Sequence, residues 1–269
     1  MIFRLTHCLS LVFCFGISLP AYAVWDIVAW DPPFDYQGQM RPLLYQPIEK
    51  ATQPWHLCVT YPHLKDPYWL SVNYGMVEEV KRLGVNMTVL EAGGYPQLST
   101  QIEQLKHCTN SASDAIIVGT VSFNGLSPSI RKIAQTTPVV AAVNDIENIG
   151  ISAKAAVSWY SMGEKVGQYL AQRHPIKGDN EAKVAWFPGP KESGWVKFID
   201  DGFHDGIAGS GVQIVAVKWG DTGKEIQRNL LQEVLEETSD FDYIVGTALT
   251  ADVAVSELLS RNLRGKIDI

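Results

Sequence analysis

The chain has 269 residues, 46% of them hydrophobic, with 22 Lys and Arg against 29 Asp and Glu, for a formal net charge of −7. That acidic balance, with no basic run, argues against a nucleic-acid partner, because phosphate recognition needs clustered cations. The length suits one large domain or two lobes of about 100–150 residues each.

Residues 1–23 read as a secretory signal: Arg4, an apolar run from Leu9 to Leu19, then Ala21-Tyr22-Ala23 as a small-x-small cleavage pattern near Ala23. The apolar run is shorter than the roughly 20 residues a membrane span requires. The sequence therefore predicts an exported protein beginning near Val24, with no membrane span in the mature chain. Loss of one Arg and no acid would leave a charge of −8. Cys8 and Cys14 leave with the signal. Cys58 and Cys108 remain, and export favours a disulfide between them over two separately buried thiols.

Residues 24–54 form an extension rich in Trp, Pro and Tyr without a clear period, read as a strap over a lobe or a docking segment. From 55 the pattern becomes strand–helix alternation. Apolar runs at 57–60, 85–90, 115–118 and 138–143 read as buried strands. Val72, Met76, Val80 and Leu83 line one helix face, and Leu98, Ile102 and Leu105 another. A connecting stretch over 144–158 follows, and the theme restarts with a helix from about Tyr160 to Arg173 and strands at 183–187, 212–217 and 243–245. This predicts an α/β fold of two Rossmann-like lobes, 55–158 and 159–269, with parallel sheets and a ligand cleft between them. Ile267-Asp268-Ile269 reads as the opening of a further strand, so the C-terminal lobe is expected to be incomplete.

The most informative stretch is Tyr61-Pro-His-Leu-Lys-Asp66-Pro-Tyr68-Trp69, where a strand gives way to a helix. Ligands of open α/β sheets bind at that carboxyl end. Two aromatics and a carboxylate there suit a small, cationic guest. Asp66 before Pro67 also suits a helix cap, and Trp69 also continues the apolar stripe of its helix. Tyr95 follows Gly93-Gly94 and precedes Pro96, a tight turn presenting a side chain, and Trp159 stands beside the crossover between lobes. Lower in rank come Asn144 and Asp145 after the fourth strand, Trp195, Asp221 in Gly220-Asp-Thr-Gly223, and Thr247. Trp195 also fits a core stripe with Ile199 and Phe203, and Asp221 and Thr247 fit turn or backbone roles. His63 and His204 are read as surface or core residues.

Reaction chemistry is poorly supported. Gly189-Pro-Lys-Glu-Ser-Gly194 lacks the Lys-Ser/Thr of a phosphate-binding loop, there is no Gly-x-Ser-x-Gly elbow, and the six histidines lack metal-ligand spacing. No catalytic residue, metal or cofactor is expected.

Leu64-Lys-Asp-Pro-Tyr-Trp-Leu-Ser-Val-Asn-Tyr-Gly-Met76, Val89-Leu-Glu-Ala-Gly-Gly-Tyr95 and Glu225-Ile-Gln-Arg-Asn-Leu-Leu-Gln-Glu233 carry a resemblance. The chain resembles the type I periplasmic binding proteins, the ribose-binding-like superfamily, and within them the branch serving trimethylamine-N-oxide (TMAO) sensing. The resemblance implies a non-enzymatic sensor, located in the periplasm, that binds TMAO between its lobes and associates with the periplasmic domain of a membrane sensor histidine kinase. It places Asp66–Trp69 at the first ligand loop and Asn144-Asp145 at the second polar pair. Such a site needs aromatic faces for the methylammonium part and placed donors for the oxide. The alternatives are a solute-binding protein of a sugar-type ABC transporter, whose pocket would carry more hydrogen-bonding groups, and an interaction module that uses the 24–54 extension.

Overall fold

The structure, a computed structural model, describes residues 24–34, 38–176, 181–238 and 240–269. The secretory leader read at 1–23 lies outside the described residues. The chain divides into two units, Met1–Glu49 and Lys50–Ile269.

In the first unit, β1 (Trp25–Asp31) pairs antiparallel with β2 (Gln39–Tyr45), from Trp25 opposite Tyr45 to Asp31 opposite Gln39. No period is visible in this stretch, yet a hairpin forms. Its strands carry the aromatic and branched residues that suit a pleated surface, Trp25, Ile27, Val28 and Tyr45. Alternation is absent because apolar side chains occupy both faces, and Trp25, Val28, Met40 and Leu44 are exposed.

In the second unit, β3 (His56–Tyr61), α1 (Pro67–Leu83), β4 (Asn86–Glu91), α2 (Leu98–Asn110), β5 (Ala115–Val118), α3 (Ser127–Ile133), β6 (Val139–Val143) and β7 (Ala153–Ala156) build the first lobe. Its five-stranded sheet has the order β4-β3-β5-β6-β7, parallel throughout. The stretch read as connecting, 144–158, therefore contains a fifth strand. Ala153-Lys-Ala-Ala156 lacks the branched residues of a strand signal, and pairing with β6 overrides that weak propensity. Cys58 on β3 is bonded to Cys108 on α2.

The second lobe comprises α4 (Trp159–Arg173), β8 (Ala182–Gly189), α5 (Gly194–Ile207), β9 (Val212–Trp219), α6 (Lys224–Glu237), β10 (Tyr243–Gly246) and α7 (Ala248–Ser260). Its parallel sheet runs β10-β8-β9. Asp268 pairs in parallel with Tyr243, extending the sheet beyond β10. In both lobes the first strand lies between the second and the third. Each lobe thus has a topological switch point where neighbouring loops part, the usual ligand position in such sheets.

Helices α4 and α5 meet at unusually close range. A Cβ on Gly163 would stand 2.0 Å from the Ile199 carbonyl oxygen, and one on Gly202 would stand 2.1 Å from that of Tyr160. This backbone-to-backbone contact seats the first half of α4, which begins with Trp159, against the middle of α5, which carries Trp195 in its first turn.

Candidate functional site

Asp66 is the N-cap of α1, extended at φ −117° and ψ 160°, with Oδ1 accepting from the Trp69 amide at 3.0 Å. The cap orients the first turn, so that Tyr68 and Trp69 project from the carboxyl end of β3. Trp69 is only 2% exposed. Its ring sits 5.2 Å from that of Tyr61 and packs on the core with Val59, while its Nε1 donates to the Tyr95 hydroxyl at 3.4 Å. The core reading of Trp69 holds for one edge of the ring, while the other meets Tyr68 and the Tyr95 hydroxyl. Tyr68, 48% exposed, forms the outer wall, with its ring 6.0 Å from Trp69 and 6.5 Å from Trp159. Burial, and then the Asp66 charge, push its phenol pKa up.

Tyr95 is buried rather than presented at an exposed turn. Its hydroxyl accepts from Trp69 Nε1 and from Asn144 Nδ2 at 3.0 Å, and burial pushes its pKa far up, so it stays a neutral phenol. Asn144 also donates to the Thr120 carbonyl at 2.7 Å, which holds its amide against Tyr95. Asp145 turns the other way. Its Oδ1 meets the ammonium of Lys154 at 2.6 Å in a largely buried ion pair.

From the second lobe, Trp159 places its ring 5.4 Å from that of Trp195 and donates Nε1 to the Val143 carbonyl at 3.0 Å. It therefore offers a face but no free donor. Trp195 is 6% exposed, and its ring lies 6.2 Å from that of Tyr95. Its Nε1–H is buried without a partner, near enough to the Tyr95 hydroxyl to ease its ionisation slightly but without hydrogen-bond geometry to it. A buried, unpaired indole donor is costly, about 1–3 kcal/mol, and is a natural place for an acceptor atom.

Thr247 stands apart from the aromatic cluster, and Asp221 meets it at its edge, through the backbone of Tyr95. Asp221 accepts from the Tyr95 backbone amide at 3.3 Å through Oδ2 and from the Thr222 amide at 2.7 Å through Oδ1. Thr247 caps α7, accepting from the Thr250 amide at 3.3 Å. Open clefts of about 310 and 450 Å³ lie elsewhere, beside β10 and α7, and none of the cluster residues lines them.

The structure thus gathers Tyr68, Trp69, Tyr95, Asn144, Trp159 and Trp195 into one cluster from both lobes. His63, expected at the surface or in the core, is buried and joins the lobes beside Asp66 through Thr222, which the sequence did not single out, and neither did it single out Gln101. Buried Gln101 donates to the Gly119 carbonyl at 2.9 Å and accepts from the Val121 amide at 2.9 Å, so it holds the loop beneath Trp69. A lone Gln on a helix face carries no sequence signal of such a role. His63, directly after Pro62 at a strand end, offered the only hint.

Two parallel α/β lobes with an aromatic cluster at their junction define a bilobed ligand-binding protein. The chain belongs to the family of periplasmic binding proteins and sugar-binding domains of the LacI family, whose model matches residues 54–269. It is accordingly a non-enzymatic ligand-binding protein. It is 40% identical over 253 residues to the periplasmic protein TorT of Escherichia coli K12, across 93% of this chain and 70% of that protein. Among solved structures, it is 45% identical to an ABC transporter solute-binding protein from Bradyrhizobium sp. BTAi1 with bound bis-tris (TM-score 0.72; 93% of this chain, 75% of that one). It is 43% identical to a chain in the TorS sensor domain–TorT complexes, solved without ligand (TM-score 0.68) and with TMAO (TM-score 0.67), over 79% of this chain and 72% of theirs. Among the described residues, no helix is long and apolar enough to cross a membrane.

Proposed function

We propose that this chain is a periplasmic sensor component. It takes TMAO between its lobes and reports its occupancy to the periplasmic domain of a TorS-like membrane histidine kinase that controls TMAO respiration. Residues 1–23 direct export and are removed near Ala23.

The observation that carries the reading is the aromatic cluster with one orphaned donor. TMAO has three methyl groups on a formally positive nitrogen and one strongly accepting oxygen. The faces of Tyr68, Trp69 and Trp159 suit the methyls, each contact contributing about 0.5–2 kcal/mol when desolvated. The Trp195 N–H lacks an acceptor, and the oxide is one. The rings touch one another at centroid distances of 5.4–6.5 Å, so a guest enters as the lobes part and is enclosed as they close. Closure is then the state change that a partner can read. The similarity to TorT, and to its complexes with the TorS sensor domain, supports the same partner here.

Calorimetric titration with TMAO, trimethylamine and ribose tests this. TMAO should bind saturably. Trimethylamine fills the aromatic faces but offers no oxide, and should bind at least tenfold more weakly. Ribose should not bind. The 45% identical Bradyrhizobium protein favours a second reading, a solute-binding protein of an ABC transporter. Ribose binding without TMAO binding would select it.

A further inference from the structure

A second polar network joins the lobes at the edge of the aromatic cluster. The loop after β3 contributes His63, Lys65 and Asp66, the turn after β4 contributes Gly94 and Tyr95, and the loop after β9 contributes Asp221 and Thr222. His63 is 1% exposed, and Asp66 and Thr222 are buried. The Lys65 amide donates to His63 Nδ1 at 3.3 Å. Nδ1 is therefore an acceptor, and the ring proton sits on Nε2. Nε2 meets the Thr222 hydroxyl across the lobes at 2.8 Å, and that hydroxyl donates to Asp66 Oδ2 at 3.3 Å. The chain of donors runs in one direction, from the Lys65 amide through His63 and Thr222 to the Asp66 carboxylate, and each hydrogen is used once. A parallel contact has Asp221 Oδ2 accepting from the Tyr95 amide at 3.3 Å. That oxygen occupies the space a Cβ on Gly94 would need, 2.6 Å away, at a residue whose φ of +146° already favours glycine.

We propose that His63, Thr222 and Asp66 form an interlobe latch that engages only with neutral His63, so that closure over the ligand site is proton-sensitive. Protonation puts a hydrogen on Nδ1, facing the Lys65 amide hydrogen, and breaks the chain at its first link. The charged groups around the ring pull both ways. Asp66 (Oδ2 3.7 Å from Nε2), Asp221 and Glu91 favour the imidazolium, while Lys65, whose ammonium is turned to the Gly93 carbonyl, opposes it. Burial outweighs these charges and holds the His63 pKa below its ordinary value.

The sign follows. The closed state binds a proton less readily than the parted state, whose solvated histidine titrates near ~6.5. The latch contributes fully above that pH. Its contribution is lost as pH falls below it toward the closed-state value, with closure weakening by at most about tenfold per pH unit in that window.

The effect on ligand affinity rests on the TMAO reading, whereas the latch itself does not. Two measurements on the whole chain separate them. First, nitrogen chemical shifts of the histidine rings in ligand-free protein, with His63 assigned by its loss in His63→Gln, should show an Nε2–H neutral ring that resists protonation below pH 6.5. A solvent-like titration of His63 would overturn the latch, whatever binds. Second, TMAO affinity between pH 7.5 and 5.5 should fall several-fold in the parent and stay flat in His63→Gln, whose amide replaces the Nε2 donor without titrating. A parent profile that is flat, or one that His63→Gln leaves unchanged, refutes the coupling. If TMAO fails to bind while His63 shows the buried tautomer, the ligand assignment falls and the latch stands. Should His63→Gln fail to fold, Thr222→Val serves. Small-angle scattering at pH 7.5 should then show it as open as the parent at pH 5.5, and a variant as compact as the parent at pH 7.5 refutes the latch.

Discussion

Gly119→Ala would test how the aromatic site is held. Gly119 follows β5 and lies directly beneath Trp69. An added Cβ would stand 2.5 Å from Trp69 Cη2 and 2.8 Å from Cζ3. Carbon atoms rest about 3.5–4.0 Å apart, so the indole must withdraw by roughly 1 Å. It has little room to do so, with Tyr61 at 5.2 Å on one side and its Nε1 already at 3.4 Å from the Tyr95 hydroxyl. A further ångström breaks that hydrogen bond. Overpacking of this kind costs about 1–3 kcal/mol of stability. A tilted indole face forfeits much of one cation–π contact, about 0.5–2 kcal/mol, or roughly 2- to 30-fold in affinity. Urea denaturation and calorimetry with TMAO read the two effects. Trp69→Phe supplies the control: its smaller ring ends short of the added methyl, so Gly119→Ala should cost almost nothing in that background. Equal costs of Gly119→Ala in both backgrounds would refute the steric argument, and parental affinity in Gly119→Ala alone would remove Trp69 from the binding surface.

Three further predictions address neighbouring features. Trp195→Phe removes the orphaned donor and should weaken TMAO binding by about tenfold or more, while leaving trimethylamine binding within about twofold; parallel titrations of the two ligands check this. Lys154→Met removes the ammonium from the largely buried Asp145 carboxylate, which keeps the Ile146 amide at 2.9 Å among its donors, and should cost about 3–5 kcal/mol in urea denaturation. Reducing the Cys58–Cys108 bond, 50 residues apart in sequence, should lower stability by about 4 kcal/mol in the chain-entropy model. A melting temperature unmoved by reductant, with thiol release confirmed, would argue against that contribution.

The order of strands and helices was legible where burial imposes a pattern. Each apolar run from His56 to Gly246 became a strand because parallel strands are covered on both faces. Ala153–Ala156 was illegible, since its strand state comes from pairing with β6 and not from its own residues. The pairing of β1 with β2, Trp25 to Tyr45, was hidden by apolar side chains on both faces. The gathering of Tyr68, Trp69 and Tyr95 into one aromatic cluster was legible because strand ends and glycine turns are local signals. A core place for His63 was within reach, but its pairing with Thr222 was not, because the partner lies 159 residues away.

The cluster and the latch share Asp66, and this ties binding to closure. One carboxylate oxygen holds the Trp69 amide and so sets the indole against Tyr95; the other accepts from Thr222 across the lobes. Asp66→Asn keeps the cap acceptor but removes the charge that receives the Thr222 hydroxyl. If the two functions are coupled through Asp66, the variant should keep near-parental stability, lose TMAO affinity by about tenfold, and lose the pH dependence assigned to His63. Lost affinity with an unchanged pH profile would mean that Asp66 acts only by positioning Trp69, and that the lobes close independently of it.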